Sequence, residues 1–269
     1  MRENWRARGR FWDARADELE EMAKRFNEPL IAAARLAPGQ RVLDLASGAG
    51  EPALTVARAV GPDGDVVASD LLDEMLAGCR RRAAEGGLAN MSFELADMQA
   101  LPFPDASFDR VTCRYGIMFA PDTAASVAEA LRVVKPGGRA AYMVWGPRDE
   151  TTMFRVLAAA GEAVFGNDPR LDYVNPFRFG EPGALADRLA AAGFADVEDR
   201  RHEFRPKVPV GRDFWRAQLD LSMGPVLAEA SEEQKAALDA AIRRGFEAVR
   251  AGEVYELTAV VRVVAGDRP

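Results

Sequence analysis

The 269-residue chain has a single histidine, His202, and two cysteines, Cys79 and Cys113. One histidine excludes every constellation that needs two. Two cysteines build neither a disulfide framework nor a cysteine zinc site, so no metal-ligating set is expected. No apolar run nears membrane-spanning length, and the arginine-rich start, Met1 to Arg10, lacks the apolar core of a signal peptide. A cytoplasmic location without a membrane span is the expectation. Positive charge is also short: 35 Lys and Arg stand against 42 Asp and Glu, for a formal charge of −7. That balance disfavours a grip on nucleic acid through phosphates. No repeat or low-complexity segment is visible. What remains, 48% hydrophobic and 29% charged residues, is globular composition in a chain long enough for a sizeable core.

Leu19, Met22, Ala23, Phe26 and Leu30 recur at helical spacing up to the turn signal Ala37-Pro38-Gly39. Strand and helix signals then alternate. Strands are expected at Arg41–Leu45, Asp65–Ser69, Met91–Leu95, Phe108–Cys113 and Arg139–Trp145, with helices at Pro52–Val60, Leu71–Glu85 and about Asp122–Val134. Lys135-Pro136-Gly137-Gly138 reads as the turn that ends the last of these helices. Strands separated by helices of this length predict a parallel sheet covered on both faces. Beyond Trp145 the pattern predicts a helix at Thr152–Phe165, a loop over Asn167–Pro182, a helix at Gly183–Ala192 and a strand at Val197–Phe204. A long helical stretch over about Asp213–Arg250 follows, its second half opening on the capping-box spacing Ser231-Glu232-Glu233-Gln234. Val254–Val264 is strand-like.

Asp44-Leu45-Ala46-Ser47-Gly48-Ala49-Gly50 leaves the first strand, where open α/β sheets bind ligands. Glycines there let backbone approach a ligand closely and supply amides at a helix N-terminus. Asp70 ends the second strand, 20 residues after Gly50, a placement that suits ribose hydroxyls. A nucleoside-containing cofactor is therefore expected. Gly48-Ala49-Gly50-Glu51-Pro52-Ala53 also satisfies the dinucleotide fingerprint, which keeps an NAD-dependent oxidoreductase open, and a lone match can be a turn used only for packing.

Further segments follow in order: Asp97-Met98 with Leu101-Pro102-Phe103, then Phe108-Asp109-Arg110-Val111, then Leu131 to Gly138 (LRVVKPGG). Together with Val42 to Gly50 and Asp70, they resemble class I S-adenosylmethionine-dependent methyltransferases. The branch is the small-molecule one similar to ubiquinone/menaquinone C-methyltransferases (methyltransferase type 11-like), and the resemblance covers Gln40 to Trp145. It implies a Rossmann-like, seven-stranded, mostly parallel sheet with helices on both faces. An N-terminal helical cover and a helical lid inserted between the last two strands complete that α/β fold. One methyltransferase domain would then divide into the cover (1–36), the cofactor core (37–146) and the sheet completion with its lid (147–269, insertion about 205–252).

The resemblance also implies S-adenosyl-L-methionine as cofactor, held by Asp44, Ala46, Ser47, Gly48, Gly50, Asp70, Leu71, Met75, Asp97, Met98, Arg114 and Tyr115. Asp70 matches the ribose-binding carboxylate, Asp97-Met98 the adenine segment, and Arg114 lies near the methionine part. Ala46 departs from the pattern, since it stands where the family usually has glycine.

A methyl group on a sulfonium is already activated, so such a protein must align the acceptor and exclude water. A general base is needed only for a protonated, weakly acidic acceptor. Tyr115 and His202 are the candidates, and a lone histidine also reads as a surface or packing residue. Cys79 and Cys113 read as structural, and Arg80-Arg81-Arg82 as a solvated helix face. Trp12, Met118, Phe119, Phe177 and Trp215 are expected around an apolar substrate pocket. The alternative is that these side chains pack helices or a homodimer interface, so monomer and homodimer both stay open. The expected activity is methyl transfer to carbon or oxygen of an apolar small molecule: a quinone precursor, polyketide or other natural product. Its rivals are the NAD-dependent oxidoreductase and a methyltransferase-like ligand-binding scaffold without turnover.

Overall fold

A computed structural model describes residues 26–172 and 175–269 of the chain. Helix α1 covers 26–34 and buries Leu30 and Ala34. Trp5, Phe11 and Trp12 of the expected cover lie outside the described residues. There follow β1 (Arg41–Leu45), α2 (Ala53–Val60), β2 (Asp65–Asp70), α3 (Asp73–Glu85), β3 (Met91–Leu95), β4 (Phe108–Arg114), α4 (Thr123–Val133) and β5 (Val134–Trp145). The remainder runs α5 (Thr152–Phe165), α6 (Ala186–Ala192), β6 (Ala195–Phe204), β7 (Lys207–Pro209), α7 (Arg216–Glu229), α8 (Glu232–Glu247), β8 (Arg250–Ala251), β9 (Val254–Glu256) and β10 (Ala259–Asp267).

Seven strands form one sheet in the order β3-β2-β1-β4-β5-β10-β6. β1 pairs in parallel with β2 and β4, β2 with β3, and β4 with β5. Gly137 N–H donates to the Arg268 carbonyl and Gly146 N–H to the Val260 carbonyl, so β10 runs antiparallel to β5. This is the Rossmann-like, mostly parallel sheet that the sequence predicts. Central strands are nearly continuous apolar runs because helices cover both faces: four of the five β1 residues and the middle four of β2 are buried. α2 turns Ala53, Leu54, Val56, Ala57 and Val60 inward at helical spacing. α4 starts where the Asp122 carboxylate accepts the Ala125 N–H at 2.9 Å. Strand order reverses between β1 and β4, and at such a switch point the loops after the strands part to leave a crevice.

Three local expectations are corrected. Lys135 to Gly138 does not turn between helix and strand but lies within β5 as an irregularity. Val134 faces Phe108 and Arg139 faces Arg110, with Gly137 at φ +75°. The extra residues are held because Arg268 N–H donates to Gly138 O while Gly137 N–H returns a bond to Arg268 O. The 213–250 stretch is helical as expected, with its second half opening at Ser231, but the insertion between β6 and β10 is not all helix: it also holds an antiparallel three-stranded sheet, β7-β9-β8. The run at 254–264 is broken at Leu257-Thr258. Thr258 N–H donates to Thr152 Oγ1 and Val260 N–H to Thr151 Oγ1, so the start of α5 divides β9 from β10.

The chain divides into two compact units. One holds the chain up to Val144 with Glu181–His202 and Arg262–Pro269; the other holds Trp145–Gly180 and Glu203–Val261. In the second unit Val156, Leu157 and Ala160 of α5 and Leu238, Ile242 and Phe246 of α8 share one apolar core with Trp215 and Met223. α8 begins with the expected capping box on Ser231 and Gln234. Among the described residues no helix is long and apolar enough to cross a membrane.

Candidate functional site

The chain leaves β1 through a turn that three backbone conformations make possible. Ala46 has φ +53°, Gly48 +55° and Gly50 +128°. At Gly48 an added Cβ would meet nothing within 4 Å, so this backbone faces open space; at Gly50 it would stand 2.8 Å from Leu54 Cδ1. Gly48 thus suits close approach of a ligand, while Gly50 serves packing. Ala46 takes a left-handed conformation that costs a Cβ-bearing residue about 1 kcal/mol. An ideal Cβ on Gly116, after β4, would lie 2.5 Å from the Ala46 Cβ. Tyr115 is also left-handed, at φ +57°, and its N–H donates to Met143 O at 2.8 Å.

Asp70 closes this turn onto β2. Its Oδ2 accepts the Gly48 N–H at 2.9 Å and its Oδ1 the Leu72 N–H at 3.1 Å. Burial raises its pKa, against these backbone hydrogen bonds, which lower it. Each oxygen keeps a second lone pair for a ligand hydroxyl. Leu71 is half-buried beside it, and Met75 lies on the inner face of α3. Asp97 is half-buried, and its Oδ1 takes the Gln99 backbone N–H at 2.9 Å and side-chain amide at 3.0 Å. Met98 Cε approaches the same Gly116 position, at 3.4 Å from the ideal Cβ.

A buried polar cluster lies on the Asp44 face of β1 and β4. Thr112 Oγ1 donates to Asp44 Oδ1 at 2.6 Å, and the Ser47 and Ser69 hydroxyls donate to the Asp44 carbonyl. Burial pushes the Asp44 carboxyl up to about 7, against the Thr112 and Ser47 hydrogen bonds and the charge of Arg114. Arg114 Nη1 donates to Asn27 Oδ1 at 2.8 Å, and Asn27 Nδ2 donates to Glu51 Oε2 at 2.7 Å. Among the described residues, Asp44 Oδ2, Glu51 Oε1 and Arg114 Nε are buried without a hydrogen-bond partner. Two carboxylate oxygens and one guanidinium N–H fit a ligand end that carries both an ammonium and a carboxylate. The methionine end of S-adenosylmethionine has that pair.

Asn27 and Glu51 are absent from the predicted set. Asn27 did leave a signal, as a polar residue in the Leu30–Ala34 stripe of α1 that is itself only 1% exposed. Arg82 corrects an expectation. Arg80 and Arg81 are exposed, but Arg82 is buried on the face of Met75, Cys79 and Ala83, and its Nη1 donates to Ala49 O at 3.0 Å. The third arginine of the run therefore braces the turn after β1.

Other predicted residues fall elsewhere. His202 is on β6, the edge strand four places from β1, about 19 Å across the sheet at ordinary strand spacing. Burial and the Arg200 charge lower its pKa. Burial raises the Tyr115 phenol pKa, so it is a hydrogen-bond donor and not a base at neutral pH. Cys79 and Cys113 are both pushed up to about 12 by burial, which makes them inert thiols. Met118 is buried and Phe119 half-buried in the turn after β4. In the second unit Phe177 packs edge-on against Phe154 at 4.9 Å, and Trp215 stacks on Phe246 at 5.0 Å. Trp12 lies outside the described residues.

The sequence pattern of the ubiE/COQ5 methyltransferase family matches residues 21–162. Over 170 residues the chain is 35% identical to ubiquinone/menaquinone biosynthesis C-methyltransferase UbiE of Methylobacterium nodulans, covering 60% of this chain and 68% of that one. Over 243 residues it is 32% identical to nocamycin O-methyltransferase of Saccharothrix syringae, covering 85% of each. In fold it is similar to phosphoethanolamine N-methyltransferase 2 of Haemonchus contortus, solved with S-adenosyl-L-methionine. That likeness has a TM-score of 0.55 at 20% identity, over 91% of this chain and 52% of that one. These findings decide between the two nucleoside cofactors in favour of S-adenosylmethionine, and for an enzyme over a scaffold without turnover. With more than half its length matched by the family's pattern, the chain belongs to the ubiE/COQ5 methyltransferase family and is an S-adenosylmethionine-dependent methyltransferase.

Proposed function

We propose that the loops after β1, β2 and β4 hold S-adenosylmethionine, and that Tyr115, Met118 and Phe119 face an apolar acceptor methylated on carbon or oxygen. The observation that carries this reading is the trio of buried atoms without a hydrogen-bond partner among the described residues, Asp44 Oδ2, Glu51 Oε1 and Arg114 Nε. The first two accept an ammonium and the third donates to a carboxylate. Asp70, fixed by the Gly48 and Leu72 amides, accepts the ribose hydroxyls. Asp97, fixed by Gln99, accepts the adenine amino group, with Met98 against the base. Ala46, Ser47 and Gly48 bring the turn's backbone to the cofactor, Gly50 lets that turn close onto Leu54 of α2, and Leu71 and Met75 give the cofactor an apolar wall.

Bound there, S-adenosylmethionine supplies a methyl group already activated by its sulfonium charge. The chain's own contribution is alignment and exclusion of water, and alignment alone is worth about 7–11 kcal/mol in well-oriented systems. The Tyr115 phenol, kept protonated by burial, donates a hydrogen bond to an acceptor oxygen. His202, on the far edge of the sheet, has no step to perform. A quinone precursor, polyketide or other natural product suits apolar side chains at the exit of β4. A C-methyltransferase of quinone biosynthesis and an O-methyltransferase among the relatives support both accepting atoms.

The test is transfer of labelled methyl from S-adenosylmethionine to a panel of hydroxylated quinone precursors and phenolic or enolic polyketides. Organic-extractable label on carbon or oxygen is expected. Label that goes only to RNA or protein, with none on any apolar acceptor, overturns the reading.

A further inference from the structure

We propose that Asn27 is a positioning residue that makes the site selective for a ligand with a zwitterionic amino-acid end. The inference rests on the reading that S-adenosylmethionine binds at these loops. Arg114, the last residue of β4, and Glu51, in the turn between β1 and α2, carry opposite charges, and each pairs with one edge of the same neutral amide. Arg114 Nη1 donates to Asn27 Oδ1 at 2.8 Å. Asn27 Nδ2 donates to Glu51 Oε2 at 2.7 Å and meets Thr55 Oγ1 at 3.1 Å, while Thr55 Oγ1 donates to Glu51 Oε2 at 2.6 Å.

A direct Arg114–Glu51 pair would neutralise both charges and leave neither for a ligand. The amide prevents that without adding charge of its own. Asparagine carries a donor and an acceptor at one end, and only one orientation of its amide satisfies both neighbours here. Asn27 is itself 1% exposed, so the bridge is held within the fold. Its effect is to aim the second edge of each charged group, Glu51 Oε1 and Arg114 Nε, at unfilled hydrogen bonds. A ligand meets both only if it brings a cation and an anion on one short chain. A nucleoside thioether without that end gains nothing from the bridge.

Titration calorimetry on the full chain, with S-adenosylhomocysteine and 5′-methylthioadenosine as probes, tests the proposal. The two share adenosine and a thioether, and only the first has the amino-acid end. Asn27→Leu is expected to weaken S-adenosylhomocysteine by about 10- to 100-fold, the scale of a disturbed charge-assisted hydrogen bond, and 5′-methylthioadenosine by less than about twofold. Asn27→Asp, nearly isosteric, keeps the acceptor for Arg114 and loses the donor to Glu51, so it should show the same split if Asn27→Leu does not fold. Equal weakening of both probes, or no change in either, overturns the proposal by making Asn27 merely structural. Equal affinity of the wild type for both probes also overturns it, since the amino-acid end is then not gripped. Failure of the wild type to bind either probe removes the cofactor reading itself, and the proposal with it.

Discussion

Around β1, β2 and β4 the first unit buries charged and polar atoms, whereas the second unit buries rings against rings. Among the described residues the first leaves Asp44 Oδ2, Glu51 Oε1 and Arg114 Nε without partners there, and in the second the Trp215 indole N–H is also unmet. Trp215 stacks on Phe246, Phe214 packs edge-on against Trp215 at 5.1 Å, and Arg243 lies 5.2 Å over the indole. Unmet hydrogen bonds in a buried place are expensive, so they persist where a ligand fills them. A ring stack asks mainly for volume, which other apolar side chains of similar size supply nearly as well. The unmet Trp215 indole N–H is a neutral donor, set against two carboxylate oxygens and a guanidinium. Cofactor chemistry is therefore readable in the first unit, while the second shows only that it is well packed.

The largest effect should come from the second unit. Trp215→Ala is expected to destabilise the chain by about 3–5 kcal/mol in denaturant unfolding, the usual range for a core tryptophan. Affinity for S-adenosylhomocysteine in the folded variant should stay within about twofold, because Trp215 packs among residues of its own unit. A larger fall in affinity would erase the contrast between the units.

Asp44 sharpens it from the other side. Its carboxyl, at about 7 when folded, lies well above the unfolded value near 3.9. Between those values the folded state keeps a proton that the unfolded state has lost, so the contribution of Asp44 to stability falls as pH rises. It is highest below about pH 4, declines up to about pH 7 and is level beyond, spanning at most about 4 kcal/mol. Asp44→Asn should remove this slope, seen as the difference between wild-type and variant unfolding free energies across that window. Parallel pH profiles for the two proteins would contradict the assigned burial of the carboxyl.

A smaller effect tests the crowded turn. Gly116→Ala places a Cβ 2.5 Å from the Ala46 Cβ and 2.9 Å from Cys113 Sγ. A loss of about 1–3 kcal/mol is expected, as for overpacking. The loss should shrink in an Ala46→Gly background, which removes one of the two colliding atoms. The same loss in both backgrounds would mean that Ala46 does not press on Gly116.

Much of this was legible in the sequence where function is local along the chain. Asp44 to Gly50 and Asp70 sit at the ends of short apolar strands, and the structure places them side by side through the bond from Gly48 N–H to Asp70. The Asn27 bridge was not legible as a site, because its partners lie 24 and 87 residues away. Arg82 was misread because three arginines in a row look like one charged patch, yet only the third shares a helix face with Met75 and Cys79. β7, β8 and β9 have three, two and three residues, too few to show a period of two. Lys135 to Gly138 has turn composition, and tertiary pairing with Arg268 keeps it inside a strand.

The most direct test of the account is a calorimetric titration of the wild type and Asp70→Ala with S-adenosylhomocysteine, beside a titration of the wild type with NADH. The account predicts that S-adenosylhomocysteine binds the wild type more tightly than NADH does, and that Asp70→Ala weakens it by about 10- to 100-fold. NADH binding the more tightly, or an Asp70→Ala variant that binds S-adenosylhomocysteine like the wild type, would contradict it.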